Sequence, residues 1–105
     1  MKLRVLLVAL AAVLLAGSTA EAAPKVLTPY AHSQSKRIAK ERCRREANCR
    51  SAAITECVRS RRSLVQCVVY VRLKPSAQRS YCTYRIGTEY RARRLVFWRT
   101  RPVCA

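Results

Sequence analysis

Six cysteines, at positions 43, 49, 57, 67, 82 and 104, are the residues of this 105-residue chain best able to do chemistry. Zinc sites draw on Cys and His at short fixed spacings. This chain has no C-x2-C pair, and its single histidine is His32. An even set of cysteines behind an export leader reads instead as three disulfides. Nucleophile–base hydrolysis needs a His beside a Ser or Cys, and His32 stands alone in an N-terminal segment while the thiols are expected to be oxidised. Paired carboxylates for glycoside cleavage would have to come from Glu41, Glu46, Glu56 and Glu89, since aspartate is absent. The first three read as helix ion-pair partners, Glu41–Arg45, Glu46–Arg50 and Glu56–Arg59. Glu89 and His32 could share acid–base work, but no spacing brings them together. The expectation is no enzyme, no catalytic residue, no metal and no cofactor.

The second concentration of chemistry is positive charge. Lys and Arg number 22 against 5 acids, a formal net charge of +17. Arginine dominates. A GC-rich genome would inflate Arg and Ala; selection for bidentate grip on phosphate or carboxylate would favour Arg as well. The uncompensated charge repels itself at a cost in stability, which a polyanion would relieve. Aromatics stand beside arginines at Tyr70/Arg72, Tyr84/Arg85, Tyr90/Arg91 and Trp98/Arg99. Such neighbours can stack on bases or sit at a membrane interface. They can equally be core aromatics with solvating arginines between them. Tyr70, Arg72, Tyr81 and Arg85 are the candidate polyanion-binding residues.

The elements that must position these groups begin with a leader. Lys2 and Arg4 precede an uncharged apolar run, Val5 to Ala16, and then small residues up to Pro24. This is the plan of a secretory signal peptide over 1–22. The run is shorter than the roughly 20 residues a transmembrane helix needs. Ala20-Glu21-Ala22 suits cleavage after Ala22, and Ser18-Thr19-Ala20 is the alternative. Leu15-Ala16-Gly17-Ser18 resembles a lipoprotein box with Ser18 where the lipidated Cys belongs, so no lipid anchor is expected. Losing Lys2, Arg4 and Glu21 with the leader takes the formal net charge from +17 to +16. The mature chain is long enough for one domain with a thin core, the size class that disulfides commonly support.

Residues 23–34, with two prolines and no periodicity, read as an arm or linker, and 35–105 as one small domain. Ser33 or Ser35 can cap a helix over 35–60, on which Ala39, Cys43, Ala47, Ile54, Cys57 and Val58 form a narrow stripe. Asn48 could break it into two. From Leu64 the period becomes two. Leu64–Leu73 is a strand with Val65, Cys67, Val69 and Val71 on one face. Residues 79–90 form a second strand, with Cys82, Tyr84 and Ile86 inward and Gly87 suggesting a bulge. Residues 95–100 form a third. The expected fold is α+β: one N-terminal helix, either continuous or broken near Asn48, packed on a three-stranded antiparallel meander and stapled by disulfides. The opposite face, with Tyr70, Arg72, Tyr81, Thr83 and Arg85, meets water or a partner.

Hairpin geometry prunes the fifteen possible pairings of six cysteines. Cys82 and Cys104 are symmetric about Arg93, and Cys67 and Cys82 about the Lys74–Pro75 turn. Taking Cys82–Cys104 leaves Cys57–Cys67 across a short loop, and Cys43–Cys49. In an unbroken helix those last two α-carbons would be about 9 Å apart, beyond the roughly 7 Å a disulfide spans, so that pairing requires the break at Asn48.

The segment Cys57-Val-Arg-Ser-Arg-Arg-Ser-Leu-Val-Gln-Cys67, with Cys82-Thr-Tyr-Arg-Ile and Val103-Cys104, resembles small exported bacterial proteins. In those a helix ending in Cys precedes a Cys-bearing antiparallel meander. The likeness spans about half the chain; Cys43 and Cys49 are additions to it. It implies a fold and a secreted, extracellular or periplasmic location, and no activity. The expected function is a secreted, strongly cationic binding protein for an anionic partner: cell-wall polymer, anionic lipid or nucleic acid. The alternatives are a cationic antimicrobial or toxin-like protein and an envelope structural or inhibitor-like protein. The Ala/Cys stripe gives the antimicrobial reading only a weak lipid-facing surface.

Overall fold

The computed structural model describes residues 24–105. The expected leader, its cleavage point and Ser18 lie outside the described residues. Helix α1 runs Thr28–Arg45, with a proline in its first turn and Arg42, Arg44 and Arg45 in its last. A first-turn proline loses no helical hydrogen bond, and cations at the C-terminus suit the helix dipole. Ala31, Ser35 and Ala39 are its buried residues. They repeat every four positions, and their small side chains let the helix backbone lie close on a sheet.

This corrects the expected arm over 23–34. The helix begins inside it, and Val26 is core, its N–H donating to Arg62 O at 3.0 Å. Ser33 and Ser35 lie within the helix and cap nothing; Leu27 is the N-cap residue, with no side-chain cap bond. The helix stops short of Asn48, in a turn where Glu46 N–H donates to Cys43 O and Cys49 N–H to Glu46 O. That turn brings Cys43 and Cys49 to 5.3 Å between α-carbons, and they are disulfide-bonded.

The expected helical segment after Asn48 is strand β1, Cys49–Arg61. Its pairing with β2 (Leu64–Leu73) shifts register at Cys49/Ser51, Ile54/Glu56 and Arg59/Arg61. The middle shift turns the alternation over. Ala52 and Ile54 are half-buried, and the next such positions are Cys57 and Arg59. The spacing of three from Ile54 to Cys57 imitates a helical stripe, and Ala and Glu favour helix locally. As β1 is an edge strand, its bulges also discourage pairing with another chain.

β3 (Tyr81–Arg91), β4 (Arg94–Arg99) and β5 (Val103–Cys104) complete the sheet. The order is β1-β2-β3-β4, all antiparallel, with β5 on the far half of β3. The class is α+β as expected, with β1 and β5 added to the three expected strands. Val71 faces Cys82 and Arg72 faces Tyr81, which centres the first hairpin between Ser76 and Ala77. It does not centre at Lys74–Pro75, so Cys67 faces Ile86. Cys67 bonds Cys57, its direct partner on β1, and Cys82 bonds Cys104, its direct partner on β5. Cys57 therefore joins two strands; it does not end a helix. Ala92 and Arg93 turn β3 into β4 with φ of 48° and 64°, the left-handed pair that a tight hairpin of this hand demands.

The core lies between α1 and the near face of the sheet. Val65, Cys67 and Val69 are fully buried, with Val71, Tyr84 and Ile86 nearly so. Gly87 is not a bulge: β3 keeps register through it against both Gln66 and Trp98. A Cβ there would lie 2.7 Å from Trp98 Cδ2 and closer still to Cε2 and Cζ2. Gly87 is the bare backbone on which the indole rests.

Candidate functional site

The open face of the sheet, opposite α1, divides into two halves. Near the β3–β4 turn it is closed by a carboxylate. Glu89 is 2 % exposed. Its Oε1 accepts from Arg91 Nε at 2.8 Å and Trp98 Nε1 at 3.0 Å, and its Oε2 from Arg61. Burial alone pushes the Glu89 carboxyl up, but the Trp98 and Arg91 hydrogen bonds and the charges of Arg91 and Arg61 outweigh it and hold it below its ordinary value. Glu89 does not partner His32, which lies on the exposed side of α1. Its ring of donors fastens Trp98 over Gly87 and ties the ends of β1 and β3 together.

The other half carries the expected binding residues. Register places Arg72 opposite Tyr81, Tyr70 opposite Thr83, and Arg85 opposite Val68, all on the open face. The Tyr70 and Tyr81 rings stack, with centroids 5.2 Å apart and planes inclined by 21°. Beside them a shallow depression is lined by Val68, Thr83, Tyr84, Arg85, Thr100, Arg101 and Val103. Its rim is held where β4 ends: Thr100 N–H donates to Arg85 O at 2.9 Å, and Arg85 N–H donates to Thr100 Oγ1 at 2.8 Å. A threonine side chain there takes up a strand hydrogen bond just before Pro102, which has no N–H to give.

Beyond Arg72 the sheet ends in a cavity of about 240 Å³ at the β2–β3 hairpin, with Arg50, Arg72, Lys74 and Arg79 in its wall. No carboxylate lines it. Arg79 is oriented by donation to Cys104 O at 2.7 Å, and Lys74 N–H is bonded to Asn48 O at 2.8 Å. The strand that the Cys82–Cys104 disulfide fastens thus braces the Arg79 guanidinium, and the Asn48 carbonyl holds the backbone of Lys74. Four cations with no acid between them form a focus for anions, and arginine's fork matches phosphate and carboxylate oxygens. Sequence reasoning reached Arg72 but missed Arg50, Lys74, Arg79 and Arg101. Lys74 and Arg79 flank the turn, so their meeting was available from the hairpin; Arg50 required β1 to be recognised as a strand.

Three of the aromatic–arginine neighbours do not act together. Successive strand residues point to opposite faces, so Tyr84 and Tyr90 face α1 while Arg85 and Arg91 face outward, and Trp98 and Arg99 are divided the other way. Tyr84 belongs to the core, under the Arg42 guanidinium at 5.7 Å from its ring centroid. The expected ion pairs also differ. Glu41–Arg45 forms at 2.9 Å, but Glu46 takes Arg42 at 3.0 Å, where the expectation was Arg50. Arg59 lies on β1 and donates to the carbonyls of Val26 and Arg62.

Comparison with protein-family models, curated proteins and solved structures finds no match for this chain. All six cysteines are in disulfides, a pattern compatible with an oxidising compartment such as the periplasm or extracellular space. Among the described residues no helix is long and apolar enough to cross a membrane.

Proposed function

We propose that this chain is an exported, cationic binding protein whose open sheet face takes a phosphate- or sulfate-bearing polymer. The observation that carries the reading is the acid-free cavity of Arg50, Arg72, Lys74 and Arg79, which continues through Arg72 onto the stacked Tyr70–Tyr81 pair. The cations would neutralise backbone anions and the exposed edge of the tyrosine stack would pack on rings or sugars. Such binding is steeply salt-dependent because counterions are released. The signal-like leader and the three disulfides support export.

Elution from heparin tests the reading. The triple variant Arg72→Ala/Lys74→Ala/Arg79→Ala should leave the column at clearly lower salt than wild type. The variant Lys36→Ala/Lys40→Ala/Arg44→Ala removes the same charge from an exposed helix face and should shift elution far less. Equal shifts would mean that only total charge matters, and the site would be discarded.

A further inference from the structure

α1 lies on β1, β2 and β3 and leaves β4 uncovered. A groove runs between them. One wall is a helix flank bearing Leu27, Tyr30, Ile38 and Arg42; the other is the near face of β4, with Leu95, Phe97 and Arg99. Leu27, Tyr30 and Phe97 are among the chain's exposed large hydrophobics, at 61 %, 43 % and 41 %. The groove is chemically graded. At the helix start a cavity of about 370 Å³ is walled by Val26, Leu27, Tyr30, Tyr90 and Leu95. Ile38, Ile86 and Phe97 line its middle.

At the far end a cavity of about 430 Å³ is walled by Ile38, two Arg–Glu pairs and Arg99. Arg42 is held by Glu46 and Arg45 by Glu41. Arg99 has no carboxylate within ion-pair distance among the described residues. Below lies Tyr84, 4 % exposed, whose hydroxyl is buried without a hydrogen-bond partner. Burial pushes this phenol up; Arg42 opposes, Glu46 reinforces and Arg99 opposes, and the Arg42 guanidinium, which walls this end, lies over the Tyr84 ring. A buried polar group without a partner calls for one. An apolar trough that closes on an unpaired guanidinium, with an unpartnered hydroxyl beneath its floor, is complementary to an apolar chain with an anionic end.

From this geometry we infer that the α1–β4 groove binds a single-chain anionic lipid, with its acyl chain along Leu27, Leu95, Phe97 and Ile38 and its headgroup at Arg99. The helix flank from Leu27 to Arg42 offers about 22 Å of wall. The site is on the face opposite the proposed polymer site and does not depend on it.

Dodecanoate, titrated calorimetrically below its micelle concentration into the exported chain, tests the inference. One saturable site is expected. Arg99→Ala should weaken it about tenfold, as does loss of a charge-assisted hydrogen bond, and uncharged dodecanol should bind correspondingly worse. Phe97→Asp and Leu27→Asp, from opposite walls and both exposed, should each weaken it by at least roughly tenfold through lost apolar contact. Heparin elution of Arg99→Ala should remain above that of the hairpin triple variant, which separates the two proposals. No saturable binding would overturn the inference, as would wild-type affinity in both wall variants. So would a protein dimer that Phe97→Asp dissociates, which would mean that a second copy fills the groove.

Discussion

Gly87→Ala adds one methyl group at the point where the Trp98 indole rests on the β3 backbone. The new Cβ would lie 2.7 Å from Cδ2 and nearer to two other ring atoms, well inside van der Waals contact. The indole must lift, and its hydrogen bond to Glu89 at 3.0 Å must stretch or break. Overpacking of this kind costs about 1–3 kcal/mol. Alanine offsets part of that, since glycine within a strand is worse by about 0.5–1 kcal/mol. The balance is a destabilisation of about 1–2 kcal/mol, or a fall in Tm of roughly 5–15 °C for a domain this size. Trp98 is the only tryptophan, so its fluorescence reports the ring directly while far-UV dichroism follows unfolding. In a Trp98→Ala background the obstacle is gone, and Gly87→Ala should become neutral or slightly stabilising. Equal destabilisation in both backgrounds would show that the cost does not pass through the ring.

Removing the disulfides one pair at a time should rank them by the loop each closes, with sequence separations of 6, 10 and 22. Loop-closure entropy gives about 2.2 kcal/mol for Cys43–Cys49, about 2.7 for Cys57–Cys67 and about 3.4 for Cys82–Cys104; urea midpoints of the Cys→Ala double variants check the order. Glu89 has a depressed carboxyl, so its contribution is present above the ordinary value near 4.5 and is lost as pH falls from there through the folded-state value. Glu89→Gln should flatten that acid limb of the stability–pH curve and lower the plateau at neutral pH. At the β3–β4 turn, Ala92→Asn with Arg93→Gly relieves two left-handed residues and should raise stability by about 1–2 kcal/mol in thermal unfolding.

The inward faces of β2 and β3 were legible because Val65, Cys67, Val69, Val71, Cys82, Tyr84 and Ile86 keep an unbroken period of two. β1 was not, because its bulge between Ile54 and Glu56 reverses the alternation inside a segment whose Ala, Glu and Arg residues favour helix. The start of α1 was hidden for a related reason. Pro29 resembles a linker residue but occupies the first helical turn, and Ala31 and Ser35 are too small to register as an apolar stripe. Of the site, Tyr70, Arg72, Tyr81 and Arg85 could be placed on one face by parity alone. The hairpin cavity needed the true centre of the turn and the recruitment of Arg50 from β1, both set by register. Glu89 read as an isolated acid because its partners Arg61 and Trp98 come from other strands, β1 and β4, a meeting that pairing creates and spacing does not display.

Amide chemical-shift mapping with a short polyphosphate reads the hairpin site residue by residue. Saturable shifts are expected, centred on Arg50, Arg72, Lys74 and Arg79 and reaching Tyr70, Tyr81 and Arg85, with Lys36, Lys40 and Arg44 on the helix unmoved. Shifts spread evenly over the arginines, or centred on α1, would contradict binding at that site.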